Sequence, residues 1–285
     1  MNYRHAYHAG NFSDVFKHAV LALVVEHLKA KATPFAAIDT HAGIGRYDLT
    51  SEAATKTGEW RDGIGRLIGR DDVPAVLRPY LDAVARQNGG RLPKAVAGLR
   101  HYPGSPAIVA HLMRRDDRLR AAELHPEDAR ALERTFAADR RVTVERLDGY
   151  TALKAWLPPK ERRGLVLVDP PFERTDEFDA MLRGLIAGHR RFQTGVFVLW
   201  YPIKDPAPVA AFHRGLVASG IRRILIAELK VFETDAPDRL NGSGLAIVNP
   251  PWRIDAAISD VTDWLVSVLA REAGAPTRIE WLVGE

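Results

Sequence analysis

Residues 34–45 read PFAAIDTHAGIG: a short apolar run from Phe35 to Ile38, an acid at Asp39, and a loop with glycines at 43 and 45. Such a run, bounded by Thr33-Pro34 on one side and a glycine loop on the other, predicts a buried parallel strand. Glycines just past a strand let backbone N–H groups approach a nucleotide or nucleoside closely. A lone GxG is weak by itself, because a tight strand-to-helix turn with no ligand uses the same residues. The dinucleotide fingerprint would need glycine or alanine at position 48, where Asp48 stands. A carboxylate there disfavours a pyrophosphate. It suits S-adenosylmethionine, a cofactor with a positive sulfonium and no phosphate.

Working outward, strand and helix signals alternate along most of the chain. Upstream, Ser13 reads as a helix N-cap, with Asp14 near the positive end of the helix dipole. The helix runs from about Asp14 to Lys29 and is apolar nearly all round between Ala19 and Leu28, so it is expected to be buried. Downstream, strands are predicted at Ala121–Leu124, Val142–Leu147, Gly164–Val168 and Gly195–Trp200. Helices follow them, opening at Pro126, after Asp148-Gly149, near Asp176 and at Pro206. Ile224–Val231 and Gly244–Val248 then read as an antiparallel hairpin at a sheet edge, followed by a helix over about 256–271 and a terminal strand over 277–283. Residues 53–100 break the rhythm. Their mixed polarity and Gly/Pro breaks predict a helical insertion, with 1–52 and 101–285 forming one domain around it.

The acids at strand ends carry chemical information. Glu123 ends the second strand, where a carboxylate can take both hydroxyls of a ribose. Asp148-Gly149 ends the third and could meet the amino edge of an adenine. Each could be an ordinary surface acid, but parallel sheets bind ligands at this rim, and successive acids there point to a site. The fourth strand ends in Asp169-Pro170-Pro171-Phe172. Two prolines stiffen the loop and remove two N–H donors, leaving the Asp169 carboxylate and the Pro170 carbonyl as acceptors. Acceptors can hold the hydrogens of an exocyclic amino group and free its lone pair for in-line attack on a methyl sulfonium. Phe172 offers a face on which an extruded base can stack. A second copy, Asn249-Pro250-Pro251-Trp252, falls on the second arm of the hairpin and is expected to be structural. The pattern of glycine loop, acidic strand ends and DPPF resembles the amino-methyltransferase class of Rossmann-like enzymes, which implies an α/β fold, a Rossmann-like class I methyltransferase with a seven-stranded, mostly parallel sheet in the order 3-2-1-4-5-7-6.

Composition sets bounds. The 285 residues are 46% hydrophobic and 27% charged, as in globular proteins. Without cysteine, disulfides, thiolate catalysis and Cys-ligated zinc are excluded. Ten histidines show no recognised ligand spacing, and no metal is expected. No apolar stretch is long enough to span a membrane and the N-terminus has no secretory h-region, so a cytoplasmic monomer is the expectation. A net charge of +4 leans mildly toward a polyanion. Arg61, Arg66, Arg70, Arg91 and Lys94 could grip phosphates, or form a solvated helix face.

YRHAYHAGNFSDVFKH, DTHAGIGRY, YPGSP, ELHP, DGY, DPPFE and NGSGLAIVNPPW, in this order over nearly the whole chain, resemble the RlmJ family, which methylates adenine N6 in 23S ribosomal RNA. The resemblance implies Asp169 as the catalytic carboxylate. It implies His18, His41, Ser105, Glu123, Asp148 and Gly149 around S-adenosylmethionine, with Asp169 at its border. Tyr3, His5 and Lys17 would approach the adenine or the RNA backbone. From the residues alone, Ser105 before Pro106 serves equally as a helix cap, and Lys17 could shield the helix from solvent. Relatives with this loop often have tyrosine where Phe172 stands, so a hydroxyl there cannot be essential. Rival expectations are amino methylation of DNA adenine or protein glutamine, and a non-catalytic RNA-binding protein with a vestigial pocket.

Overall fold

The computed structural model describes residues 4–284. In chain order its elements are α1 (Phe12–Lys29), β1 (Ala36–Asp39), β2 (Arg46–Asp48), α2 (Glu52–Thr57), α3 (Arg78–Gln87), β3 (His101–Pro103), α4 (Ser105–Leu112), β4 (Arg118–Ala122) and α5 (Pro126–Phe136). There follow β5 (Val142–Glu145), α6 (Gly149–Trp156), β6 (Gly164–Val168), α7 (Glu177–Arg191), β7 (Val196–Ile203), α8 (Pro206–Ala218), β8 (Ile224–Lys230), β9 (Gly242–Val248), α9 (Ile254–Leu269) and β10 (Thr277–Val283).

One sheet orders the strands β5-β4-β1-β6-β7-β9-β8-β10. The first seven reproduce the expected 3-2-1-4-5-7-6 order, and β10 adds an eighth strand, antiparallel to β8. The hairpin β8–β9 is therefore not at the edge. Its second arm inserts between β7 and β8, antiparallel to both, and is buried along its whole length. Gly244 permits this, since a Cβ there would lie 2.1 Å from the Tyr201 ring. The sheet separates two cores. One holds Phe16, Val20, Val24, Ile108 and Leu265 of α1, α4 and α9; the other holds Leu153, Met181, Leu185 and Phe212 of α6, α7 and α8.

Several local details depart from the sequence reading. Asn11, not Ser13, caps α1, its side chain accepting from the Asp14 N–H. The Ser13 hydroxyl bonds Ser243 at 2.9 Å instead. Gly104, not Ser105, is the cap of α4. β4 ends at Ala122, so Glu123 lies in the loop just beyond it. The second proline motif follows β9, which runs opposite to β6, and so it lies on the far rim of the sheet. There Asn249, with φ of 51°, donates to the carbonyls of Gln193 and Gly195.

Residues 53–100 comprise α2, α3 and 3-10 turns, closed at their ends by the antiparallel pair β2–β3. Ile64, Leu67, Leu77 and Tyr80 from this stretch pack into the core around α1. Three basic residues considered there as phosphate grips are engaged within the protein. Arg66 donates to the Val268 and Ala270 carbonyls, Arg70 pairs with Asp72, and Arg61 lies over Trp60. Among the described residues no helix is long and apolar enough to cross a membrane.

The centre of the sheet tolerates no added atom at its first rung. A Cβ on Gly164 would fall 1.8 Å from the Ala36 carbonyl oxygen of β1, where neither backbone can yield. Gly164→Ala is expected to cost about 3 kcal/mol of stability or more, seen as a lower midpoint in urea unfolding.

Candidate active site

Strands β1, β4, β5 and β6 are parallel, so their C-terminal ends share one rim, and the loops leaving them meet the N-terminal turns of α1 there. Together they enclose a cavity of about 630 Å³. Every residue that the sequence assigned to the cofactor, the target base or the chemistry reaches its wall, except Tyr3, which lies outside the described residues.

At its centre is a buried ammonium. Lys17 is 3% exposed, and its Nζ lies 2.9 Å from Asp14 Oδ1 and 2.5 Å from Asp169 Oδ2. Burial opposes the charge, but the two carboxylates overcome it and raise the Lys17 pKa. Burial would likewise raise Asp14; instead His5 and Lys17 hold its carboxyl well below the usual range. Asp14 Oδ2 also accepts from the Gly10 N–H at 2.9 Å and contacts His5 Nε2 at 2.9 Å. Lys17, expected at the adenine or the RNA backbone, thus commits its charge within the protein, and His5 acts on the same carboxylate. Among the described residues Asp169 Oδ1 has no protein partner, and Asp169 is partly exposed to the cavity.

The glycine-loop side is acidic. Asp39 is 1% exposed and accepts from Ser105 Oγ at 2.6 Å. Burial lifts its pKa to about 7, against the Ser105 bond and with the repulsion of Asp169. His41 is neutral, pushed down to about 4 by burial. Its Nδ1 lies 2.8 Å from Thr40 Oγ1, whose proton goes to the Leu167 carbonyl. Nδ1 must therefore be the donor, which leaves Nε2 as an acceptor. Gly149 seats this ring: a Cβ there would sit 2.8 Å from Nε2. Glu123 accepts from the N–H groups of Gly43, at 2.9 Å, and His125, at 2.7 Å, yet burial still raises its pKa. Asp148 caps α6 through one oxygen, accepting from the Thr151 N–H and hydroxyl. His18 is 1% exposed, neutral by burial with a pKa near 3, and bonded through Nδ1 to the Tyr102 hydroxyl at 2.8 Å.

Across the cavity the DPPF loop turns sharply. Phe172 adopts φ of 50°, a left-handed conformation costly for an aromatic residue. Its ring meets Phe178 and Trp200 edge-on, with centroids 4.8 and 5.7 Å apart. Trp200 is held by bonds from its indole N–H to Ser13 and Ser243, and Lys17 Nζ lies 5.4 Å from its ring centroid. Sequence reading missed Asp14 and Trp200 as site residues and gave Asp39, one of the acidic strand ends, no role of its own. Asp14 carried a usable signal, since an acid three residues before a lysine shares its helix face. Trp200, inside β7, carried none.

A profile of the family described as "Ribosomal RNA large subunit methyltransferase D, RlmJ" matches residues 32–283. The chain is 42% identical over 285 residues to ribosomal RNA large subunit methyltransferase J of Escherichia coli K12, covering all of both chains. It is 41% identical over 286 residues to the protein of the same name from Haemophilus influenzae, again over the full length of both. The crystal structure of protein LPL1258 from Legionella pneumophila superimposes with a TM-score of 0.87 at 30% identity, over 96% of this chain and 98% of that one.

Two outcomes follow from the charges. Lys17→Met leaves Asp14 and Asp169 without their shared cation and is expected to cost about 3–5 kcal/mol in urea unfolding. Part of that loss should return in the Lys17→Met/Asp14→Asn double variant. The Asp39 carboxyl titrates near 7 when folded and near 4 when unfolded, so between those values only the folded chain holds the proton. Its contribution therefore makes stability fall as pH rises from about 4 to 7. Asp39→Asn should flatten that part of the stability–pH curve; an unchanged slope would refute the assignment.

Proposed function

The chain belongs to the RlmJ family of ribosomal RNA large subunit methyltransferases, and from that premise we propose that it moves a methyl group from S-adenosylmethionine to the exocyclic N6 of an adenine in 23S ribosomal RNA. One observation carries the reading: a carboxylate on a proline-stiffened loop, one oxygen fixed by a buried ammonium, the other facing a nucleoside-sized cavity.

The walls suit this cofactor. Glycine is required at 43, where φ is 60° and a Cβ would fall 2.2 Å from the Tyr47 hydroxyl, and its N–H holds the Glu123 carboxylate at the cavity wall. Acids surround the space, which fits a cationic, phosphate-free ligand. Glu123 would take the ribose hydroxyls and Asp148 the amino edge of the cofactor's adenine, with His18, His41, Ser105 and Gly149 around them. When bound, S-adenosylmethionine supplies an electrophilic methyl carbon on a sulfonium.

This chain's own residues then do the rest. Lys17 orients the Asp169 carboxylate by binding one of its oxygens, so that the other acts as an acceptor. Asp169 and the Pro170 carbonyl accept the amino hydrogens of the target base, aligning the nitrogen lone pair for attack. The nitrogen sheds a proton as the new bond forms, and Asp169 is the base within reach. Phe172, wedged against Phe178 and Trp200, presents a fixed edge and face to the flipped adenine. His5 and Tyr3 would meet the RNA around it. Attack is direct, with no covalent enzyme intermediate.

Asp169→Ala is expected to lower kcat by at least about 100-fold, while calorimetry shows S-adenosylmethionine binding weakened by less than tenfold. Tritiated methyl transfer should label 23S ribosomal RNA and leave duplex DNA and protein unlabelled. Comparable turnover by the alanine variant, or labelling of DNA or protein in place of RNA, would overturn the proposal.

A further inference from the structure

The rim opposite the cavity is as basic as the cavity is acidic. Five Arg-Arg pairs occur in the chain at 114–115, 140–141, 162–163, 190–191 and 222–223. Each lies just before a strand of the main sheet, β4, β5, β6, β7 or β8, four of them in the connecting loop and 190–191 in the last turn of α7. These strands are mutually parallel, so all five pairs gather where the strands begin.

Backbone carbonyls at or near helix ends explain one arginine in four of the pairs, and a loop carbonyl takes one in the fifth. Helices α1, α4, α5, α6, α7 and α8 all end at this rim, where their last carbonyls carry partial negative charge. Arg114 donates to the carbonyls of Lys31 and Thr33 at 2.7 and 3.1 Å. Arg141 reaches those of Met113 and Ala110, Arg163 those of Leu28 and Thr33, and Arg191 that of Leu157. Arg223 points toward the Pro250 carbonyl at 3.4 Å. The other member of each pair does none of this. Arg115, Arg140, Arg162, Arg190 and Arg222 are exposed, and none has a side-chain hydrogen bond or ion pair among the described residues.

Carboxylates do not balance them. Asp117 and Asp139 are taken by Arg114 and Arg141, which leaves Asp116 and Glu161 in these loops. Segments 180–204, 206–227 and 241–254, which build the β7–β9–β8 part of the rim, contain no Asp or Glu. Arg190 and Arg222 line a shared hollow of about 290 Å³ with Gln193, Ser219 and Asn249. Beside them, after Asn249, stands Trp252, 77% exposed, followed by the exposed Arg253. The row from β8 to β5 crosses six strand spacings, roughly 29 Å at about 4.8 Å each.

We propose that this rim is a second binding surface for the ribosomal RNA, gripping its phosphate backbone with Arg115, Arg140, Arg162, Arg190 and Arg222 while another part of the RNA enters the cavity on the opposite rim. The occupant is RNA because a line of guanidiniums matches phosphate oxygens bidentately and spans most of a helical turn, and because an exposed indole beside arginines accepts an unpaired base. The inference rests on the reading of ribosomal RNA as substrate. It requires that the RNA fold back, or present two separated segments, to touch both rims.

The test is binding without chemistry. A fluorescent 23S ribosomal RNA transcript is titrated, in the absence of S-adenosylmethionine, with the wild-type chain and with the five-fold Arg→Gln variant of these positions, from 50 to 300 mM KCl. A control variant carries Gln at five other exposed basic positions, Arg78, Arg86, Arg100, Arg134 and Lys154. The rim variant should bind about tenfold or more weakly at 100 mM KCl, with a log–log salt slope shallower by about 0.7 for each phosphate no longer neutralised. Its calorimetric affinity for S-adenosylmethionine should equal that of the wild type, which shows that the fold survives. Equal RNA affinity and slope in wild type and rim variant would overturn the proposal, as would an equal weakening in the control, since net charge would then suffice. Salt-sensitive binding that disappears only in the rim variant supports it even if no adenine is methylated, so failure of the substrate reading would be seen separately.

Discussion

A single ammonium ties the chemistry to the fold. Lys17 Nζ sits between Asp14 and Asp169, and through them it joins the first turn of α1 to the loop after β6. An unpaired buried charge is costly, so each partner depends on the others being in place. Asp14 extends the network to His5 and to the Gly10 N–H, so the N-terminal stretch is held against the same centre. The result is an Asp169 side chain with one oxygen fixed and one available. That asymmetry is what an amino-group acceptor needs, because an ionised carboxylate with a defined direction can order the hydrogens of an incoming NH2 group.

The direction of the strands distributes charge over the rest of the molecule. Parallel strands put all their C-terminal loops on one rim and all the helix C-termini on the other. Acids collect at the first rim, where Glu123, Asp148 and Asp169 border the cavity and Asp39 lies buried behind Ser105. Arginines collect at the second, where helix ends attract them. A small net charge of +4 thus conceals a strongly polarised molecule. Antiparallel β9 is the exception, and it accounts for the duplicate proline motif. By reversing the chain it delivers Asn249 to the basic rim, where the side chain ties down two carbonyls of the turn before β7. Two copies of nearly the same four residues therefore differ because of strand polarity, and even their strained positions differ, Phe172 in one and Asn249 in the other.

Much of this was legible without coordinates. Apolar runs with period-specific boundaries located the strands, and the strand-to-loop motifs, DPPF among them, picked out the rim where the cavity opens, because these signals are local and follow from backbone chemistry. Family resemblance added His18 and His41, which no spacing rule would have selected. What escaped the sequence depended on neighbours distant along the chain. Lys17 read as a residue facing RNA, because nothing in the sequence says that Asp169, 152 residues later, lies 2.5 Å away. Ser105 read equally as a helix cap and as a cofactor neighbour, because its bond to Asp39 spans 66 residues.

The sequence by itself therefore determined the order of elements, the sheet type and the loops that line the cavity, since each follows from short-range patterns of apolarity, glycine and proline. Tertiary structure alone decided which charges are paired, which are buried and which face solvent. Coulombic and desolvation energies depend on separation and burial in space, and neither is encoded in the spacing of residues along a chain.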